Sequence, residues 1–170
     1  MVYLLAGLIV LADQYTKHLV RTQIPLNSSW NPWPALTPYF RVLHIQNTGA
    51  AFGLFKDGNL IFTTIAIIVS LVIIVYAQRL APGQWLMRLA LGMQLGGALG
   101  NLVDRLIFGT VTDFISVGNF AIFNVADASI STGVAFLALL MVFEARNDRG
   151  AAGSGSTLPG VDAPEMPSGG

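Results

Sequence analysis

The chain has 170 residues, 54% of them hydrophobic and only 11% charged, and its mean hydropathy is +0.64. A soluble domain carries roughly 25% charged residues, so the deficit points to lipid as the solvent. Nine basic and nine acidic residues cancel, which gives no reason to expect nucleic acid, and there is no cysteine for a disulfide, a thiolate metal site, a Cys nucleophile or a lipid-modified N-terminus. Two histidines, His18 and His44, are too few for a His-built metal centre, and no cofactor is expected.

Val2 to Val20 is the first predicted span, apolar but with Asp13, Gln14, Lys17 and His18 in its second half. At a rise of 1.5 Å per residue it just crosses a hydrocarbon core of about 30 Å. No basic segment follows Met1, and charges stand where a small-residue cleavage site belongs, so a retained helix is expected over a cleaved signal peptide. Asp13 and Lys17 are four apart and share a helix face. Taken alone they read as a local ion pair at the interface.

Residues 22–57 are expected outside the membrane. Pro25, Pro32, Pro34 and Pro38 exclude a continuous helix, and Trp30, Trp33 and Tyr39 are residue types that settle at the headgroup level. Tyr39 to Ile45 is rich in strand formers and predicts a short surface sheet or hairpin. It leads into Asn47-Thr48-Gly49-Ala50-Ala51-Phe52-Gly53, whose small residues allow a backbone to approach a ligand closely.

Leu60 to Ala77 is the cleanest span, interrupted only by Thr63, Thr64 and Ser70, and residues 78–84 form a tight turn. Trp85 to Phe108 is the third span. Its Gly92, Gly96 and Gly100 repeat every four residues, a small-residue stripe on which another helix can pack. Gly97, Asn101, Asp104 and Arg105 form an adjoining stripe, read either as a charged helix end or as the lining of a cavity. A short polar connection over 109–122 carries Asp113. The fourth span covers 123–143, with Asn124 as a helix N-cap and Asp127 three residues further in. From residue 147 the composition turns to Gly, Ser, Pro and Ala and predicts a disordered cytoplasmic tail over 147–170.

Four spans place both termini on one side. Arg79, Arg88, Arg146 and Arg149 favour the cytoplasm for that side, because the short 109–122 connection holds no Lys or Arg. Asp13, Asn47, Asp104, Asp113 and Asp127 then converge near the outer leaflet. An ionisable group at a membrane edge is costly and reads as functional. Two carboxyls brought within a few ångströms share one proton: the ionised member takes a proton from water and the protonated one polarises a scissile carbonyl. Ser129 and Ser131 have no histidine in their segment, so a Ser/His site does not compete. A small proton-coupled transporter or channel subunit, or a purely structural four-helix membrane protein, are the other classes this pattern allows.

Five blocks narrow the choice. Asp13-Gln14-Tyr15-Thr16-Lys17 resembles the D-Q-x-S/T-K signature of the lipoprotein signal peptidases (signal peptidase II), and Asn47 to Phe52 resembles that family's N-x-G-A-A-F segment. Gly97 to Arg105 is similar to its G-x-x-G-N-x-x-D-R motif. Val111-Thr112-Asp113-Phe114 and Phe123-Asn124-Val125-Ala126-Asp127 are similar to its two aspartate motifs. The blocks stand in family order over about residues 13 to 135.

The resemblance implies an all-α membrane protein, a four-transmembrane-helix bundle over 1–146 with a small extracytoplasmic β-sheet between helices 1 and 2. It implies an inner-membrane aspartic endopeptidase that cuts a diacylglyceryl-modified prolipoprotein just before its lipid-modified cysteine. Asp113 and Asp127 fall on the family's catalytic pair. Asn47, Gly49, Asn101, Arg105 and Asn124 fall on site-lining or substrate-holding positions, and Asp13, Lys17 and Asp104 on supporting ones. The family needs no metal and is inhibited by the cyclic peptide globomycin. Membrane lipids are the further partners expected, and a closed four-helix unit suits a monomer. The 116–122 linker departs from the family in lacking the aromatic-proline residues often found before F-N-x-A-D.

Overall fold

Small residues on the third predicted span decide how the helices meet. The computed structural model describes residues 1–31, 33–48 and 58–154, by backbone alone at 144 and 147–154. Among these it places α1 (Val2–Gln23), β1 (Ser29–Trp30), a 3-10 turn (Pro34–Leu36), β2 (Phe40–Asn47), α2 (Asn59–Gln78), α3 (Trp85–Phe108), β3 (Val111–Val117) and α4 (Val125–Ser154). The central helix is α3, against which α1, α2 and α4 all pack.

The glycine stripe lies against α1. A Cβ on Gly92 would stand 3.1 Å from the Val2 carbonyl oxygen, one on Gly96 2.7 Å from Ile9 Cβ, and one on Gly100 2.8 Å from an Asp13 carboxylate oxygen. Rising numbers meet rising numbers, so α1 and α3 run parallel, side by side at backbone contact. On the other face of α3, Gly97 meets Ala126 and Ile130, while a Cβ on Gly133 would stand 2.9 Å from the Ala90 carbonyl oxygen. Those numbers run in opposite senses, and α4 is antiparallel to α3. In lipid such packing, with hydrogen bonds between helices, replaces the hydrophobic effect as the cause of association.

Val2, Ala6, Ile73, Ala77, Leu80, Leu91 and Leu95 form an apolar cluster at the end of the bundle where α1 begins. The outward face is apolar too: Leu60, Ile61, Ile68, Leu71 and Val72 on α2, and Leu139, Met141 and Val142 on α4, are all exposed. Contiguous exposed apolar surface of this kind belongs against lipid or a partner. By length and composition α2 and the Val125–Phe143 part of α4 can cross a membrane. The comparably long α1 and α3 carry buried charges instead.

The sheet differs from the sequence expectation. Its order is β1-β2-β3, all antiparallel, so only two strands come from the connection between α1 and α2. The third is Val111–Val117, from the connection expected to be merely polar. Its Val, Thr, Phe and Ile content is that of a strand, a signal masked by Asp113 and Ser116. Val20 and Ile24 at the end of α1 pack with Phe114, Val42, Ile115 and Val125 and seat the sheet on the bundle.

A second difference concerns α4. Its first residue is Val125, not 123, and its backbone helix runs to Ser154, past the apolar span that ends at Phe143 and into the stretch expected to be tail from 147. Glu144-Ala145-Arg146 are strong helix formers and no proline intervenes before Pro159. Residues 155–170 of the expected tail lie outside the described residues.

Gly96→Val should destabilise the protein by about 1–3 kcal/mol, because the added carbons meet the backbone of Ala6 rather than a movable side-chain tip. Gly7→Ala, where nothing lies within 4 Å, should cost nothing or gain up to about 1 kcal/mol from helix propensity. Thermal melts of both variants in one detergent check the contrast.

Candidate active site

The start of α4 has backbone N–H groups without partners in their own helix, and the surrounding polar side chains are arranged around them. Asn124 is the N-cap: its Oδ1 accepts the Asp127 N–H at 2.9 Å, while Asp127 Oδ2 accepts the Asn124 N–H at 3.3 Å. This reciprocal pair is a capping box written with Asn and Asp. The Ala126 N–H is taken by Asp13 Oδ1 of α1 at 2.9 Å. Asp13 is thus both a helix cap across the bundle and the reason α3 needs glycine at position 100.

Behind the cap lies a buried ionic cluster. Lys17 Nζ is 2.8 Å from Asp13 Oδ2 and 3.4 Å from Asp104 Oδ2, with all three side chains fully buried. The pair is therefore not the interfacial ion pair that its spacing alone suggests. Asp104 also accepts from the Thr112 N–H at 2.9 Å, from Gln14 Nε2 at 3.0 Å and from Arg21, which is 3.3 Å away. Arg21 further donates to Thr112 Oγ1 at 3.1 Å and lies over the Phe108 ring. The cluster joins α1, α3 and β3. Every charge in it has an opposite partner and hydrogen bonds, which is the condition for burying charge at all.

Two asparagines connect this cluster to the acids. Asn101 Oδ1 accepts from Lys17 Nζ at 2.9 Å, and its Nδ2 donates to Asp127 Oδ1 at 2.7 Å. Asn124 Nδ2 donates to Asp113 Oδ1 at 2.7 Å and to Asn101 Oδ1 at 3.1 Å. Asp113 enters from β3. Its register partner is Ile45, so Asn47 lies diagonally across the same face of the sheet, and Asn47 Nδ2 donates to Asp113 Oδ2 at 2.9 Å. The turn after β3 folds back through Ile115–Phe123 backbone hydrogen bonds of 2.7 and 3.0 Å, which bring Asn124 alongside. Gly118 supplies the positive φ of 54° in that turn.

Asp113 and Asp127 line one cavity of about 560 Å³, together with Asn47, Asn101 and Arg105. Its apolar walls are Phe62 from α2, Val111 from β3 and the 120–123 turn, and Ala128, Ser131 and Thr132 of α4 complete it. Arg105 lies with its guanidinium 5.7 Å from the Phe62 ring centre. Burial pushes the Asp113 carboxyl up to about 6; the Asp127 charge acts in the same direction, and the amides of Asn47 and Asn124 and the Lys17 charge oppose it.

Asp113, Asp127, Asn47, Asn101 and Arg105 thus meet at the cavity, Asn124 is buried behind the two acids that it holds, and Asp13, Lys17 and Asp104 sit further back. Gly49 lies outside the described residues. Not singled out from the sequence were Gln14, Arg21, Thr112 and Phe62. Arg21 could have been found, because 13, 17 and 21 form one helix stripe. Phe62 reaches the cavity only through tertiary packing and left no local signal.

The profile of the signal peptidase II family matches residues 5–143. The lipoprotein signal peptidase of Moorella thermoacetica is 41% identical over 138 residues, which span 81% of this chain and 90% of that one. That of Bacillus subtilis is 40% identical over 146 residues, spanning 84% and 93%. A bacterial membrane enzyme solved by the in meso method at 2.3 Å resolution superposes with a TM-score of 0.79 at 29% identity, over 86% of this chain and 90% of that one. With these relatives agreeing along nearly its whole described length, the chain is a peptidase that belongs to the signal peptidase II family.

Proposed function

We propose that this chain is an intramembrane aspartic endopeptidase that removes the signal peptide of diacylglyceryl-modified prolipoproteins by cutting just before the lipid-modified cysteine. The observation that carries the reading is that Asp113 and Asp127 face one cavity and are held there by the same Asn124. Family membership supports the substrate class. The proton-coupled transporter reading draws no support from the relatives.

In this mechanism the pair shares one proton. Burial of Asp113 biases the proton toward it, and Asp127 stands opposite in the first turn of α4. Asp127 then takes a proton from water as Asp113 polarises the scissile carbonyl. Arg105, Asn47 and Asn101 bound the cavity and present N–H donors to the substrate backbone, and the apolar walls exclude bulk water. Gly49 is read from its motif as a substrate-binding position, and Asp13, Lys17 and Asp104 as supporting ones.

All four helices are read as membrane spans, with α1 and α3 tolerated because their charges are neutralised inside the bundle. Arg79 and Arg88 sit at the end away from the cavity, which supports reading that end as cytoplasmic in a bacterial inner membrane, with both termini there and the cavity near the outer leaflet. The protein works as a monomer in contact with membrane lipids. A cyclic peptide of the globomycin type is read as an inhibitor that occupies the same cavity.

Purified protein in detergent should convert a diacylglyceryl-modified prolipoprotein to the shorter product. Asp113→Asn and Asp127→Asn should each lower kcat by about 10³-fold or more while the thermal melt persists; full activity in either would remove the pair from the mechanism. A second measurement uses stability. With Asp113 raised from 3.8 to about 6 on folding, the folded chain binds more protons than the unfolded one across that window. Wild-type stability should therefore fall as pH rises from 4 to 6, and Asp113→Asn should lack that component when melts of the two are compared at each pH.

A further inference from the structure

The amide groups between the ionic cluster and the acids have a fixed sense. An asparagine amide can turn over, exchanging its oxygen and its NH₂. Two groups that can only donate forbid it here. The Asp127 backbone N–H requires Asn124 Oδ1, so Asn124 Nδ2 faces Asp113 and Asn101. Lys17 Nζ at 2.9 Å, the charged donor, and Asn124 Nδ2 at 3.1 Å both require Asn101 Oδ1, so Asn101 Nδ2 faces Asp127. The bonds close a ring: Asp127 N–H to Asn124, Asn124 to Asn101, and Asn101 back to the Asp127 carboxylate. Lys17 is the sole charged donor given to Asn101 Oδ1 among the described residues, and its side chain is fully buried.

We propose that Lys17 is a positioning residue for the reaction, acting through Asn101 so that an N–H and never a carbonyl oxygen is presented to Asp127 Oδ1. This rests on the reading of Asp113 and Asp127 as the reacting pair. A turned Asn101 would set its oxygen against a carboxylate oxygen, and Asp127 could then satisfy that contact only by carrying the proton itself. A protonated Asp127 cannot take a proton from water, and the pair would hold its proton on the wrong member. The fully buried lysine thus governs turnover without touching substrate.

The charged groups around the pair are Lys17 from α1 and Arg105 from α3, beside Asp113 of β3 and Asp127 of α4, with Asp13, Asp104 and Arg21 beyond Lys17; α2 and β2 bring the uncharged Phe62 and Asn47. The Lys17 charge opposes the rise of Asp113. Asp113 must keep its proton for the reaction, so removing that charge should move the alkaline limb of the activity profile to higher pH, by about one unit.

The test compares Lys17→Met with the charge-balanced Asp13→Asn/Lys17→Met, in which the asparagine oxygen still caps the Ala126 N–H. Both should lose about 100-fold in kcat on a diacylglyceryl-modified prolipoprotein, with KM within about twofold. The alkaline limb should move up in Lys17→Met and stay near its wild-type place in the balanced variant, which separates the donor from the charge. Wild-type kcat in a folded balanced variant, or a loss confined to KM, would overturn the proposal. So would loss of a cooperative melt in both variants, which would assign Lys17 to holding the helices together. Asp127→Asn run alongside tests the underlying reading: turnover there removes the pair itself, whereas an inactive Asp127→Asn beside a fully active balanced variant removes only the role of Lys17.

Discussion

The contact on which the rest depends is the one between Asp13 and the start of α4. A helix that begins inside a membrane protein presents backbone N–H groups that water cannot reach, and each must find an acceptor. Asp13 Oδ1 meets the Ala126 N–H and Asn124 Oδ1 meets the Asp127 N–H. A carboxylate buried for that purpose needs a cation, and Lys17 supplies it one turn along the same helix. A single buried ammonium against Asp13 and Asp104 needs a second cation, and Arg21 supplies that. Each charge is thus accounted for by the one before it, beginning from the geometry of a helix end.

Lipid shapes the remainder. Apolar association does not drive helices together where the solvent is hydrocarbon, so close backbone contact and internal polar bonds must hold the bundle. The glycines of α3 provide the first on two faces, toward α1 and toward α4. The ionic cluster provides the second, and it lies at the end of the bundle nearest the sheet, where Thr112 of β3 joins it through Asp104 and Arg21. The same contacts that hold the bundle therefore also place the strand that carries Asp113.

What could be read from the sequence follows the range over which each signal acts. Helix extents, the glycine stripe and the Asn124 cap are set by neighbours one or two turns away, and they were legible as periodicity and composition. β3 was missed because its polar residues, Thr112, Asp113 and Ser116, are buried and paired with Arg21, Asn47, Asn124 and Arg41 rather than with water, so a buried strand read as a polar loop. The apolar span ends at Phe143 as its hydropathy indicates, but the helix continues beyond it, because low hydropathy marks the end of apolar surface and not of helix. The Asp13–Lys17 spacing showed a shared face, but burial at both side chains depends on α3 and α4 and has no local signature. Phe62 belongs to the same class, since nothing within α2 distinguishes it from the lipid-facing residues beside it.

The two acids reach the cavity by different routes, and that difference gives them different chemistry. Asp113 hangs from the middle of a buried strand, with both oxygens accepting side-chain amide donors, and its desolvation favours the neutral form. Asp127 stands in the first turn of a helix, with one oxygen on a backbone N–H and the other on Asn101. A strand offers a carboxyl no dipole, whereas a helix start favours negative charge. A pair built on two strands or on two helices would have to break its symmetry by side-chain contacts alone. Joined through Asn124, which caps the helix with its oxygen and holds the strand acid with its nitrogen, the two carboxyls stand in unequal surroundings. An acid–base mechanism needs that inequality, because one member must hold a proton while the other takes one.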